Sequence, residues 1–249
     1  MSRYRLELGD AFEVMANIED GCVDYLCCDL PYGTTQLAWD AAIKLETFWL
    51  EAERICKPSA MISHFSAQPF TTDLINSKRD WYRYELIWHK TMPTGFLDAN
   101  RRPLRAHESI LLFAKTMKGA TYNPQMTQGQ PYKTNRPPNQ TKIYGGERAS
   151  FAANPGTRHP TSLVVAPNTP RDAINETQKP LELLYWLLET YSNPGDLVAD
   201  FTAGGATAGV AALLTGRKFI GAEIRPDQHA QALRRPQAAA QGQLFEVTP

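Results

Sequence analysis

The stretch LVADFTAGGATAGVAALLTGRKFIGAE, residues 197–223, carries the strongest indication of how this chain folds. It begins with an apolar run typical of a buried strand, Leu197–Phe201, and passes through a turn of small residues into a helix-like segment from about Thr207 to Thr215. A second strand-like run, Lys218–Glu223, follows. Strand, helix and strand in this order predict a parallel pair, because parallel neighbours need a crossover connection.

The same alternation extends towards both ends of the chain. The predicted strands are Val23–Cys28, Ala60–Phe65, Tyr84–Trp88 and Ser109–Phe113, and the predicted helices are Ala42–Cys56, Pro69–Asn76, Pro180–Tyr191 and one beginning at Arg225–Pro226. The sequence therefore predicts an α/β fold with a doubly wound, mostly parallel, Rossmann-like sheet. In such a sheet, ligands bind at the carboxyl ends of the strands.

Composition limits the class of protein. The chain has 249 residues, 43% of them hydrophobic, and 26 basic against 26 acidic side chains, which gives a formal net charge of zero. These values exclude disordered and fibrous classes. We expect a soluble, cytoplasmic protein without membrane contact, since the start lacks a signal-type apolar region and no apolar stretch is long enough for a span. Four cysteines without metal-ligand spacing are expected to be reduced core residues: Cys22, Cys27, Cys28 and Cys56.

Residues 116–171 differ from the rest of the chain. They contain seven basic residues and one acid, a balance of 7 − 1 = +6, together with several tyrosines and many amides. Such a surface can neutralise phosphates and contact bases, although a long solvated insertion has the same composition. We predict four regions: a catalytic half (1–115), a basic insertion (116–171), a cofactor-binding half (172–235) and a flexible tail (236–249).

The turn after Asp200 has the character of a nucleotide-binding loop. Small residues let the backbone approach a ligand, and Gly204, Ala206 and Gly209 fit a loosened G-x-G-x-x-G pattern. Glu223, at the end of the next strand, is placed to accept hydrogen bonds from a ribose. This pattern does not distinguish a nicotinamide cofactor from S-adenosylmethionine.

A second junction, Asp29-Leu30-Pro31-Tyr32, follows the predicted strand Val23–Cys28. Methylation of an exocyclic amino group requires acceptors for its hydrogens and a flat surface for the base, because its lone pair is delocalised into the ring. Asp29 and the Leu30 carbonyl would supply the acceptors, and Tyr32 the flat surface. In isolation, an Asx-Pro turn with a surface tyrosine is the alternative interpretation.

The order of these features resembles the β-class S-adenosylmethionine-dependent DNA amino-methyltransferases, particularly the compact phage and prophage type. The resemblance covers most of residues 5–233: a D-P-P-Y-like motif at Asp29–Tyr32, a target-recognition region at 116–171, and the cofactor loop last. It implies a methyltransferase sheet with an inserted target-recognition region, and an activity of the kind found in restriction–modification systems.

The resemblance also implies roles for individual residues. Asp10 would contact the adenine amino group of the cofactor, Glu223 its ribose, and Thr177 and Lys179 its methionine carboxylate. The implied catalytic set is Asp29, Leu30, Pro31 and Tyr32. The implied cofactor set is Asp10, Thr177, Lys179, Asp200, Thr202, Ala203, Gly204, Gly205, Ala206, Thr207 and Glu223, and no metal is required.

The leading hypothesis is methyl transfer to N6 of a flipped adenine in double-stranded DNA, with N4 of cytosine as the alternative target. Adenine is preferred because family motifs that begin with Asp resemble the adenine enzymes. The expected DNA contacts are Arg101, Arg102, Arg105, Lys133, Arg136, Lys142, Arg148 and Arg158, although the first three are equally typical of a solvated loop.

The chain departs from the family pattern in both motifs. Leu30 replaces the first Pro, which is tolerable if that position contributes only its backbone carbonyl. Gly205 replaces the usual Ser and Ala206 the second Gly, where backbone and ligand approach closely, and this departure motivates another hypothesis. Weak cofactor binding would favour an inactive DNA-binding protein of methyltransferase ancestry, and a nicotinamide-dependent oxidoreductase is a third hypothesis. A homodimer is also considered, as is a sliding-clamp contact through Gln241, Leu244 and Phe245, against the alternative of a disordered tail.

Overall fold

The computed structural model describes residues 3–33, 43–136, 150–168, 173 and 178–236. The strands are β1 Tyr4–Leu8, β2 Val23–Cys28, β3 Cys56–Ser66, β4 Tyr82–Thr94, β5 Arg105–Phe113, β6 Thr127–Gln128, β7 Tyr132–Arg136, β8 Ser150–Asn154, β9 Thr157–Arg158, β10 Leu163–Ala166, β11 Leu197–Asp200 and β12 Lys218–Glu223. The helices are α1 Ala11–Ala16, α2 Leu45–Ile55, α3 Phe70–Ser77, α4 Leu181–Tyr191, α5 Thr207–Leu214 and α6 Pro226–Ala232, with a short 3-10 turn at Phe96–Asp98.

Eight strands form one sheet in the order β1-β12-β11-β2-β3-β5-β4-β10. Every pairing in it is parallel except those of β5, which runs antiparallel to both of its neighbours. The predicted doubly wound, mostly parallel sheet is therefore confirmed. The chain reverses its direction of winding between β11 and β2, which defines the switch point where such sheets bind ligands.

Two separate apolar clusters cover the two faces of this sheet. Along β2, Tyr25 and Cys27 pack into the cluster that holds α4 and α5. Leu26 and Cys28 pack into the other cluster, which holds α1, α2 and α3. This alternation is expected, because successive side chains of a strand point to opposite faces.

The predicted strands and helices of the sheet are present, and three differences are informative. β1 and α1 were not predicted, although YRLEL alternates apolar and charged residues as a half-buried strand does. β4 extends beyond Tyr84–Trp88 at both ends. β10 lies inside the predicted insertion but pairs with β4 in the main sheet, because four apolar residues were too short a run to stand out from their polar surroundings.

Residues Pro124–Thr161 form a compact unit of their own. Two short antiparallel pairs build it, β6 with β9 and β7 with β8. Within this unit Arg158 donates hydrogen bonds to the Asn154 side chain at 3.0 Å and to the Gln130 carbonyl at 2.5 Å, and its guanidinium lies 4.5 Å from the ring centre of Tyr132. Arg158 therefore supports the unit, and its expected contact with DNA stays a prediction.

The cysteines are free thiols. Cys27, Cys28 and Cys56 are buried and Cys22 is partly exposed, which confirms the expectation of unpaired core residues. Among the helices that the structure describes, none is long and apolar enough to cross a membrane.

Helix α5 packs very closely against the sheet at Gly209. A β-carbon at this position would lie 2.7 Å from the Tyr4 ring and 2.8 Å from the Phe219 ring, closer than packed atoms allow. These two rings are themselves stacked, with centres 5.2 Å apart, so neither can move without disturbing the other. Gly209 therefore fixes how deeply α5, and the loop before it, sits on the sheet.

Replacing Gly209 by alanine should destabilise the protein by about 1–3 kcal/mol, because the added methyl overpacks this contact. Chemical denaturation measures the loss. Leu214→Ala, at a half-exposed position of the same helix, is the control and should cost clearly less. Equal stability of Gly209→Ala and the wild-type protein would show that the contact is not tight.

Candidate active site

Four carboxylates line the carboxyl edge of adjacent parallel strands. Asp10 follows β1, Glu223 ends β12, Asp200 ends β11 and Asp29 follows β2. Because these strands are neighbours in the sheet, residues far apart in sequence meet at one edge. The structure thus brings together the two junctions that the sequence singled out, on either side of the switch point.

The loop from 201 to 206 is held in place by hydrogen bonds from both sides. The Glu223 carboxylate accepts one from the Gly204 backbone N–H at 2.7 Å and another from the Arg225 N–H at 2.8 Å. Arg235, buried behind the loop, donates to the Gly205 carbonyl at 2.5 Å and to the Thr207 hydroxyl at 3.0 Å. The loop is therefore preformed, and its shape depends on Glu223.

Ala206 has the left-handed backbone conformation that favours glycine, with φ of 51°. Its side chain is wholly buried and belongs to the core cluster around α4 and α5. The methyl group that replaces the family glycine is thus accommodated in the core. The loop keeps its turn at the cost of backbone strain, on the order of 1–2 kcal/mol.

Asp200 is buried beside the loop, and burial raises the pKa of its carboxyl to about 7. Hydrogen bonds from the Thr202 N–H at 3.1 Å and the Thr202 hydroxyl at 3.3 Å oppose this shift, while the charges of Asp29 and Glu223 add to it. Several negative charges in one partly buried place favour a cationic ligand.

Asp10 serves as the N-cap of α1. One carboxylate oxygen accepts from the Phe12 N–H at 2.8 Å and from the Glu13 N–H at 3.3 Å. Its backbone neighbour Gly9 donates to the Glu223 carbonyl at 3.1 Å, so Asp10 and Glu223 occupy the same end of the sheet. The cap fixes where the side chain lies, and the contact of Asp10 with the cofactor stays a prediction.

Asp29 and Tyr32 form one rigid group. The Tyr32 hydroxyl donates to an Asp29 oxygen at 3.1 Å, and the Tyr32 ring stacks on Phe70 with ring centres 5.2 Å apart and an angle of 20° between the planes. Leu30 between them is almost fully buried in the core. Leucine at this position therefore contributes packing, which explains why the first proline of the family motif is not needed to anchor the turn.

Lys179 joins Asp29 to a second carboxylate. Its ammonium lies 2.5 Å from Asp29 and 3.7 Å from Glu108, and Glu108 in turn lies 2.5 Å from the Lys90 ammonium. The sequence placed Lys179 beside a methionine carboxylate, but in the structure its partner is the motif aspartate. The resemblance alone gave no indication of this pairing, since the two residues come from distant parts of the chain.

The charges of this network control each other. Burial raises the pKa of Asp29, and the positive charge of Lys179 opposes the rise without cancelling it. Burial lowers the pKa of Lys179, but Asp29 and Glu108 outweigh it, so this pKa is raised. Burial also raises the pKa of Glu108, but the two lysines outweigh it and lower this pKa. Lys179 thus stays charged and holds Asp29 nearer to ionisation than burial alone would.

A cavity of about 440 Å³ opens beside Tyr32. Its volume lies within the range of about 300–1,000 Å³ typical of small-molecule sites. It is lined by Tyr32, Ala67, Gln68, Lys90, Thr94, Arg102, Arg105, His107 and Glu108. The cavity therefore combines an aromatic wall, several cations and one carboxylate, a set suited to a base and its phosphate.

The predicted DNA contacts fall into three groups. Arg101, Arg102 and Arg105 are exposed on the β4–β5 connection, and Lys133 is exposed in the 124–161 unit. The side chain of Arg136 is not described. Lys142 and Arg148 lie outside the described residues. So do Thr177 of the predicted cofactor set and the predicted clamp residues Gln241, Leu244 and Phe245. In the described part of the chain, no group of three His, Cys, Asp or Glu side chains could hold a metal ion.

Four residues that support the site were not predicted from the sequence. Phe70 supports Tyr32, Lys90 and Glu108 continue the ion network, and Arg235 fixes the cofactor loop. Glu108 lies in a stretch that resembles the family, which was an available indication. Phe70, Lys90 and Arg235 look like ordinary strand or helix residues, and only the fold shows their partners.

The parallel sheet, the small-residue loop and the carboxylates at one edge define an α/β protein of the nucleotide-cofactor type. A family profile described as a DNA methylase, N6_N4_Mtase, matches residues 23–234, and the chain belongs to this family. The alternative of a nicotinamide-dependent oxidoreductase is thereby set aside.

Two relatives of known name illustrate the similarity. The chain is 27% identical over 262 aligned positions to the DNA adenine methyltransferase YhdJ of Escherichia coli K12, covering 93% of this chain and 82% of the relative. It is 26% identical to the type II methyltransferase M.BglII of Bacillus subtilis, covering 88% of this chain and 65% of that one.

Solved structures share the fold. The M1.HpyAVI–SAM complex aligns with a TM-score of 0.64 at 21% identity, over 93% of this chain and 98% of that one. The cytosine-N4-specific PvuII methyltransferase aligns with a TM-score of 0.65 at 14% identity, over 94% and 88%. The Rossmann-like methyltransferase fold that the resemblance implied is thus confirmed.

Asp200→Asn should remove a pH dependence of stability. With a folded pKa of about 7 against an ordinary value of 3.8, Asp200 binds its proton more tightly in the folded protein. The free energy of unfolding of the wild-type protein therefore falls as pH rises from about 4 to about 7. It falls by up to about 1.4 kcal/mol per pH unit more than that of the variant. Above about pH 7, the difference between the two proteins no longer changes with pH.

Denaturation of both proteins without cofactor, between pH 4.5 and pH 8.5, measures this difference on the order of single kcal/mol. Asparagine keeps the acceptor for Thr202, so the comparison isolates the charge. Parallel stability curves for the two proteins would contradict a raised pKa for Asp200.

Proposed function

We propose that this protein transfers a methyl group from S-adenosylmethionine to the N6 amino group of adenine in double-stranded DNA. The observation that carries the proposal is the position of Asp29 and Tyr32 beside the loop after Asp200, across the β2–β11 pairing. Methyl transfer to the amino group of a base needs a hydrogen-bond acceptor and a flat ring on one side of the site. It needs a loop that binds a nucleotide-type cofactor on the other side.

The residues at the sheet edge fit this cofactor. Glu223 would hold the ribose, Asp10 the adenine, and the loop from Thr202 to Gly205 the methionine end, with Asp200 near the positive charge. When bound, S-adenosylmethionine supplies an electrophilic methyl group on a positively charged sulfur. The raised pKa of Asp200 supports a cationic partner at this place, because a nearby cation would favour its ionised form.

The residues around Asp29 fit a flipped base. Tyr32, held from behind by Phe70, offers a flat wall to the cavity. The Asp29 carboxylate accepts a hydrogen bond from the amino group, which turns the nitrogen lone pair out of the ring plane as methylation proceeds. The amino nitrogen would take the methyl group as the bond from that carbon to the cofactor sulfur breaks, and it would release one proton to solvent. The negative charge of Asp29 would stabilise the positive charge that develops in between.

Lys179 is a positioning residue in this proposal. It occupies one side of the Asp29 carboxylate and opposes the effect of burial on its pKa. An aspartate paired in this way is an acceptor with a fixed position, and it is less basic than burial alone would make it. Its work is therefore to orient the amino group and to stabilise charge.

Adenine is preferred over cytosine for two reasons. The motif begins with Asp29, as in the adenine enzymes that it resembles, and the chain is similar over 93% of its length to a protein named as a DNA adenine methyltransferase. Transfer to N4 of cytosine would use the same acceptor and ring. It is therefore the alternative outcome of the test below.

The test is incubation with methyl-labelled S-adenosylmethionine and unmethylated bacterial DNA, followed by digestion to nucleosides. Label should appear in N6-methyldeoxyadenosine and fall by about a hundredfold or more in Asp29→Ala. Asp80→Ala, at an exposed position on the surface, should match the wild-type protein.

Label in N4-methyldeoxycytidine would correct the base and keep the reaction. Unlabelled DNA together with no heat of cofactor binding would overturn the proposal in favour of an inactive DNA-binding protein. The buried, well-packed Ala206 supports cofactor binding and thus the active form.

Removal of the Lys179 charge should shift the pH dependence of methylation. In Lys179→Met, burial raises the pKa of Asp29 without opposition from this charge, so the acidic limb of the rate profile should move to higher pH. Lys179→Arg should restore most of the wild-type profile. An unchanged acidic limb in Lys179→Met, in a variant that still methylates DNA, would contradict this role.

A further inference from the structure

Two large apolar side chains project from the connection between β4 and β5. Phe96 is 75% exposed and Leu97 is 88% exposed. They stand side by side in the 3-10 turn Phe96–Asp98, at the end of the hairpin that β4 and β5 form. Adjacent apolar residues with this exposure need a partner, because a monomeric surface does not favour them.

The turn that carries them is preformed. Gly95 has the left-handed φ of 88° that begins the turn. The Asp98 N–H donates to the Gly95 carbonyl at 3.1 Å, and the Asp98 carbonyl accepts from the N–H groups of Arg101 at 2.8 Å and Arg102 at 3.0 Å. Phe96 and Leu97 are therefore displayed on an ordered turn, at little entropic cost for a binding event.

The surroundings of this tip are cationic. Arg101, Arg102 and Arg105 follow it within eight residues of Asp98, and all three are exposed. Asp98 pairs with Arg102, which leaves the tip with a net positive charge. An apolar point surrounded by arginines suits a nucleic acid, whose phosphates lie outside and whose base stack lies inside.

The same hairpin reaches the cavity beside the active site. Thr94, Arg102 and Arg105 line that cavity together with Tyr32. The residues on both sides of the 3-10 turn thus line the cavity. Phe96 and Leu97, in the turn itself, extend into solvent. A base that left the duplex to enter this cavity would leave a gap in the base stack beside the hairpin.

We propose that Phe96 and Leu97 enter the DNA duplex next to the target base and fill the gap that its flipping leaves. The two side chains stack between the remaining bases, and the neighbouring arginines bind the flanking phosphates. This inference rests on the proposed function, and it adds to it the element that opens the duplex.

The experiment compares Phe96→Ala, Leu97→Ala and the double variant with Leu50→Ala. Leu50 is 70% exposed on α2 and is the matched control for loss of an exposed apolar side chain. Each protein acts on two duplexes that contain a target site mapped with the wild-type enzyme. One duplex is fully paired, and in the other the target base faces an abasic position.

The double variant should lose about tenfold or more of its methylation rate on the paired duplex, and much less on the duplex with the abasic position, where the base is already loosened. Binding of S-adenosylmethionine, measured by calorimetry, should not change. With 2-aminopurine at the target position, the fluorescence rise on wild-type binding should be reduced in the variant and kept in Leu50→Ala.

Other results overturn the inference in separable ways. Wild-type protein that labels neither duplex nor genomic DNA refutes the proposed function itself. Wild-type protein that methylates both, with a double variant that keeps the same ratio of the two rates, refutes only the role of Phe96 and Leu97. The wild-type protein could sediment as a dimer and the double variant as a monomer, with the ratio of the two rates unchanged. This result would assign Phe96 and Leu97 to a contact between two copies of the chain, and it would also refute their role in the duplex.

Discussion

The parallel pairing of β11 with β2 is the constraint on which the site depends. Val198 pairs with Tyr25 and Ala199 with Leu26, so the residues that follow each strand, Asp200 and Asp29, leave the sheet side by side. The loop after Asp200 and the Asp29–Tyr32 motif, which come from opposite ends of the sequence, thereby meet at the switch point of the sheet. Helix α5 packs tightly against the sheet at Gly209. This contact and the hydrogen bonds of Glu223 and Arg235 fix the position of the loop relative to the sheet edge.

The charged side chains at this edge of the sheet determine which ligands it favours. Asp10, Glu223, Asp200 and Asp29 place carboxyl groups at the ends of four adjacent strands, and burial raises the pKa of Asp200 and of Asp29. Lys179 supplies a permanent positive charge to one of them, Asp29, and is kept charged by Glu108. The site therefore separates two tasks. In the proposed reaction, the Asp200 side would face the positive charge of the cofactor, and the Asp29 side would hold and orient the amino group.

Much of this was predictable from sequence because strand ends carry the chemistry. β2 and β12 have the bounds that their apolar runs predicted, and Asp29, Asp200 and Glu223 fall at the sheet edge as expected. The sequence did not predict the partner of Lys179, the support of Tyr32 by Phe70, or the bond from Arg235 to Gly205. These contacts join distant segments, and their geometry follows from tertiary packing. At Ala206, the sequence shows that alanine replaces the glycine of the family pattern. The structure alone shows that the added methyl group is buried in the core.

A crystal structure of the protein with S-adenosylmethionine and a duplex that contains the target site tests this account most directly. The account predicts the sulfur of the cofactor between the carboxyl ends of β11 and β2, with the amino nitrogen of a flipped adenine against the Asp29 carboxylate and its ring against Tyr32. A cofactor bound away from the loop after Asp200, or a target base that lies outside the cavity beside Tyr32, would contradict it.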